Sequence, residues 1–112
     1  MSVTLTTTQS KLGNKSSKSI PLATEEVFKR VWLLGSEQIG AQWLPLFESG
    51  IDIQKSDLSN VIKEMVSLRD WILSSPMKSE DKKSISSRID NALDELKILL
   101  TDEMDNTHIF AG

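Results

Sequence analysis

Leu58–Leu73 reads LSNVIKEMVSLRDWIL. Turned through about 100° per residue, Leu58, Val61, Ile62, Met65, Val66, Leu68, Ile72 and Leu73 fall on one arc, and Ser59, Asn60, Lys63, Ser67 and Asp70 on the other. That period belongs to a helix with one buried face. After the break at Ser74, Ser75 and Pro76, a second such run begins: Ser79 is placed to cap it, Glu80 and Asp81 suit its positive end, and Ile85, Ile89, Ala92, Leu93, Leu96, Leu99 and Leu100 form the apolar arc. The short connection makes the two runs antiparallel neighbours. A helical hairpin over about 56–75 and 79–102 is the expected core, with Ser56 as the cap of its first helix.

Working outward, Thr24 is a helix cap followed by Glu25 and Glu26, each with a basic residue at i,i+4 in Lys29 and Arg30. Val27, Phe28, Val31, Trp32 and Leu34 make a stripe, so a shorter helix is expected over about 24–35 with Gly35 at its end. In 36–50, SEQIGAQWLPLFESG, Gly40 weakens a helix and Pro45 breaks one. A broken helix is expected there, one piece reaching Trp43 or Leu44 and a second turn starting at Pro45, with Gly50 as the stop. Ile51 and Ile53 then flank Asp52 in a brief extended link.

At the other ends the pattern thins. Residues 1–23 are rich in Ser, Thr and Lys; Val3 and Leu5 alternate with polar neighbours as in an edge strand, but the run from Lys11 to Ser19, with Gly13, offers little to bury. The expectation is a flexible or edge-strand arm, or one that orders on a partner. Beyond Leu100, Asp102, Glu103 and Asp105 have the wrong sign for a helix C-terminus, so the helix should fray and 105–112 should form a tail. The fold class expected is therefore all-α: a small helical bundle, with a single helical domain over 24–104.

The chain has 112 residues, 38% of them apolar and 26% charged, with a mean hydropathy of −0.22. These values fit one globular domain. Cysteine is absent, which removes disulfides and thiolate metal sites. No apolar run approaches the roughly 20 residues of a membrane span, and no leader pattern opens the chain, so a cytoplasmic protein is expected. The net charge is −3; Lys11, Lys15 and Lys18 stand in residues 1–23 without an acid, which leaves −6 on the remainder. That sign repels phosphate backbones and favours a basic protein partner over nucleic acid.

Few residues offer chemistry. His108 is the one imidazole, with no second His or Cys to share a metal, and reads as a solvated tail residue. Asp90 and Asp94 stand at i,i+4, a spacing that suits a hard cation or an acid/base couple, yet Lys97 follows and a solvated helix face is the simpler account. Phosphate loops, nucleophile elbows and paired His ligands are missing. No catalytic residue, metal site or cofactor is expected. Arg69 falls within the apolar arc of its own helix, either snorkelling over Met65 and Ile72 or paired with a carboxylate such as Glu48 or Asp52. Trp71 points away from that arc, near the direction of Glu64, and Ile98 is similarly off the apolar face of the last helix. Such residues meet another segment of the chain or a partner.

The segments QWLPLFESGIDI, DLSNVIKEMVSLRDWIL and SRIDNALDELKILL resemble a set of small bacterial immunity-type proteins. The matching residues are Trp43, Leu44, Pro45, Leu46, Phe47 and Gly50, then Glu64, Leu68, Arg69 and Leu73, then Arg88, Ile89, Leu93 and Leu96, over about residues 41–100. The long Thr/Ser/Lys arm and Met65, where Leu is expected, depart from the pattern. The resemblance implies a non-catalytic, helical protein that binds and neutralises a cognate toxin through an acidic face. Candidate partner-binding residues are Glu64, Trp71, Asp90, Asp94 and Ile98. The chain is then a monomer or weak homodimer. The competing reading is a structural or adaptor protein, of a secretion system or phage, that self-associates through its helical hairpin.

Overall fold

A computed structural model describes residues 2–11, 14–101 and 107–112, without the side chains of 9–11 and 14–16. Strands β1 (Ser2–Lys11) and β2 (Asn14–Thr24) open the chain, and a helical rod follows as α1 (Glu25–Val27), a π-helical turn (Phe28–Trp32) and α2 (Leu33–Ile39). A 3₁₀ turn (Leu44–Glu48), strand β3 (Ile51–Ile53) and a second 3₁₀ turn (Lys55–Asp57) lead to α3 (Leu58–Ser74), α4 (Ser79–Thr101) and strand β4 (Thr107–Ala111). The strands form one antiparallel sheet in the order β2-β1-β4-β3. The helices cover one face of it.

The all-α expectation is thus overturned. Residues assigned to an arm and a tail build most of a sheet, and the reason is an alternation that continues through polar residues. In β1, Val3, Leu5 and Thr7 are buried while Thr4, Thr6 and Thr8 face outward. Threonine is β-branched and suits either row. In β2, Leu22 and Ala23 are buried and Ile20 packs beside them. Lys18, opposite the buried Thr7, sends its ammonium to Glu95 of α4 at 3.3 Å. A register shift between Val3 and Thr4 accommodates Pro21, which has no N–H for the ladder. In β4, Ile109 and Ala111 are buried between exposed His108 and Phe110. The fraying expected past Leu100 falls on 102–106, outside the described residues, and α4 is helical to Thr101.

The hairpin of α3 and α4 is present, and the buried residues Leu58, Val61, Met65, Leu68 and Ile72 meet Ile85, Ile89, Ala92, Leu93, Leu96 and Leu99. At the end of α3 the Ser75 hydroxyl donates to the Ile72 carbonyl at 2.6 Å and Lys82 Nζ to the Leu73 carbonyl at 3.1 Å, satisfying orphaned acceptors ahead of Pro76. Thr24 caps the first rod, accepting from the Val27 amide at 3.2 Å. That rod does not stop at Gly35 but runs to Gly40, whose φ of 72° supplies the left-handed end. The π turn inserts one residue and brings Phe28, Val31 and Trp32 together onto the core side. Phe28 stacks on Trp32 at 5.5 Å, and Phe47 of the 3₁₀ turn completes the aromatic group.

Gly35 is buried because α2 and α3 cross there: a Cβ would lie 2.4 Å from Leu68 Cδ1 and 2.8 Å from the Trp71 ring. One turn earlier, Trp32 Nε1 and, at the crossing, Ser36 Oγ are buried without a hydrogen-bond partner among the described residues. An unpaired buried hydroxyl costs stability. Ser36→Ala should therefore raise the stability by about 1 kcal/mol in urea melts. Ile109→Ala, at a position 2% exposed, should lower it by about 3 kcal/mol; an unstructured tail would register no change.

Candidate functional site

The five residues singled out from the sequence do not form one patch. Glu64 and Trp71 lie on the flank of α3 that faces α2 and the following turn. The Glu64 carboxylate accepts the backbone N–H groups of Gln42, Trp43 and Leu44 at 3.1, 2.8 and 3.1 Å, closing the start of the 3₁₀ turn. The Trp71 ring covers Gly35 and packs against the core. Both are engaged inside the fold. Asp90 and Asp94 lie on the opposite flank, in a shallow groove between α3 and α4 lined also by Val66, Arg69, Leu93 and Lys97. Ile98 is 60% exposed on the outward side of α4.

Arg69 is half-buried, and its partner is neither Glu48 nor Asp52. Its Nε lies 2.6 Å from Asp90 Oδ1, a charge contact set off the N–H direction rather than an aligned hydrogen bond, and Nη1 lies 4.0 Å from Asp70. Both carboxylates are solvated, which screens the pair. The groove therefore holds two carboxylates matched by two cations, Arg69 and Lys97. Among the described residues, no group of three or more His, Asp or Glu could hold a metal ion, and no helix is long and apolar enough to cross a membrane.

The surface that sequence reasoning missed is the outer face of the sheet, which no helix covers among the described residues. Cross-strand register places Ser19, Thr6, Phe110 and Asp52 in one row across all four strands, with Ser17, Thr8 and His108 in the next. Pro21 and Thr4 stand on the other side of that first row. Among the described side chains of these rows none is Lys, Arg or Glu, although a quarter of the chain is charged. Loss of long charged side chains marks the centre of interfaces. Phe110 is 39% exposed, its ring lying over Gly50 and Gly112, where a Cβ would come within 2.8 and 2.9 Å of it. His108 Nε2 stands 3.0 Å from Asp52 Oδ1, and the Thr8 and Ser17 hydroxyls are 3.3 Å apart. The signal was present in the alternation of THIFA, in which Ile109 and Ala111 turn in and His108 and Phe110 turn out.

Comparison with known proteins found no matching family model, no matching curated protein and no matching solved structure.

The role of Glu64 is open to direct measurement. Glu64→Gln keeps the shape but halves the acceptor capacity and removes the charge, and should cost about 1–2 kcal/mol in urea denaturation. Amide exchange should accelerate at Trp43 and Leu44 while β1 and β4 stay protected.

Proposed function

We propose that this chain is a non-catalytic binding protein of immunity or antitoxin type, which acts in the cytoplasm by binding and neutralising a cognate protein toxin. The observation that carries this reading is the exposed sheet face, poor in long charged side chains and with an aromatic ring held over Gly50 and Gly112. A two-layer fold buries one side of its sheet and leaves the other for solvent or for a partner. Protein surfaces normally mix long charged side chains of both signs; this face carries Thr, Ser and Phe110, with Asp52 and His108 as its ionisable groups among the described side chains. The net charge of −3 favours a basic partner. The resemblance of residues 41–100 to immunity-type proteins points to the same functional class, although the sheet face is built almost wholly from strands outside those residues.

Co-expression tests the proposal. A product of an adjoining gene that arrests growth alone should be tolerated when this chain is co-expressed, and the two should copurify as a complex. Failure of every adjoining product to bind, together with concentration-dependent self-association in sedimentation, would replace neutralisation by self-assembly.

A further inference from the structure

We propose that the open sheet face receives an arginine side chain of the partner, with its guanidinium plane on the Phe110 ring and its N–H groups directed at the Asp52 carboxylate. The inference rests on the reading of this chain as a protein-binding module and names the chemistry that such a module would select.

Three features of the face converge on this occupant. Asp52 and Phe110 are directly opposed across the β3–β4 ladder, so their Cβ atoms are about 5 Å apart on the same side of the sheet. From that shared row the carboxylate leans toward His108 and the ring toward Gly50 and Gly112, and a guanidinium is broad and flat enough to lie on the ring while donating from its edge toward the carboxylate. A lysine ammonium is compact and strongly hydrated and cannot satisfy both at once. The second feature is preorganisation. The Phe110 ring is braced from below by the backbones of Gly50 and Gly112, and the φ of 89° at Gly50 is one that glycine adopts freely. The ring therefore loses little freedom when a flat group settles on its outer side.

The third feature is charge. His108 reaches only Asp52 Oδ1, and Oδ2 makes no hydrogen bond among the described residues. Thr6 is the cross-strand neighbour of Phe110 on its far side, and its hydroxyl can accept a further N–H. By contrast, the carboxylates of the α3–α4 groove already face Arg69 and Lys97. The sheet face is the better receptor for an incoming cation.

The probe is the peptide acetyl-Gly-Arg-Gly-Arg-Gly-amide, titrated into the full chain labelled with ¹⁵N, beside the same peptide with lysine for arginine. The arginine peptide should give saturable shifts at the amides of Thr6, Asp52, His108 and Phe110, with the lysine peptide about fivefold weaker. Asp52→Asn, at an exposed position, should weaken binding about tenfold, equivalent to one charged contact. Phe110→Leu should weaken it about threefold. Shifts confined to α3 and α4, equal affinity for the two peptides, or undiminished binding by the Asp52→Asn chain would overturn the proposal. Asp52→Asn alone decides if Phe110→Leu fails to fold. A chain that binds the arginine peptide on this face but protects cells from no adjoining product would retain the site and lose the neutralising function. A chain that protects cells equally well with and without Asp52→Asn would do the reverse.

Discussion

Strand β4 is the piece on which the two-layer structure depends. It is hydrogen-bonded on both sides, to β1 along Leu5–Gln9 and to β3 along Ile51–Ile53, and Thr4 and Gly112 exchange two further backbone bonds at 3.2 and 3.0 Å. Without it the sheet would fall into a two-stranded hairpin and a three-residue strand with no partner. Neither is stable alone in water. The β1–β4 ladder joins residues about a hundred positions apart, so closing it carries a large loop entropy that local contacts do not. Ile109 and Ala111 then complete the core from the sheet side, and the same alternation puts His108 and Phe110 outside.

The helical layer is tied to this sheet by different means. One flank of α3 is committed to α2 and the 3₁₀ turn: the Glu64 carboxylate closes three amides, and Leu68 and Trp71 close on Gly35. The aromatic group of Phe28, Trp32 and Phe47 lies beneath. Far from waiting for a partner, Trp71 is the reason that the preceding helix has no side chain at residue 35. This division leaves the opposite flank of α3, the outer side of α4 and the outer side of the sheet exposed. Among the described residues of these three, only the sheet side pairs an exposed ring with a carboxylate opposite it across a fixed register.

Helices α3 and α4 were legible because each repeats its period over four turns or more, long enough to outweigh off-face residues such as Trp71 and Ile98, whereas the first rod, interrupted by a π turn, runs past its expected end at Gly35. The sheet was not, because its inward rows are chemically mixed. Thr7 occupies a core position, and Lys18 sits among inward residues by sending its charge to α4. Five residues of THIFA cannot announce a strand whose partner lies at the other end of the chain. The same gap hid the candidate surface, since Phe110 acquires meaning only once Asp52 and Thr6 are known to flank it. Asp90 and Asp94 share a helix face, as their spacing implies, but the contact between Arg69 and Asp90 is not legible in the sequence because helix phase gives direction and not depth.

Strand β2 has one neighbour in the sheet, and eleven residues of backbone at a border would ordinarily invite foreign strands to zip onto it. Here the border carries Pro21 beside an irregular register, which interrupts the run of donors, and Lys18 places a charge on the inward row beside Glu95 of α4. The proline and the shifted register leave foreign strands a shorter uninterrupted run along this threonine- and serine-rich margin.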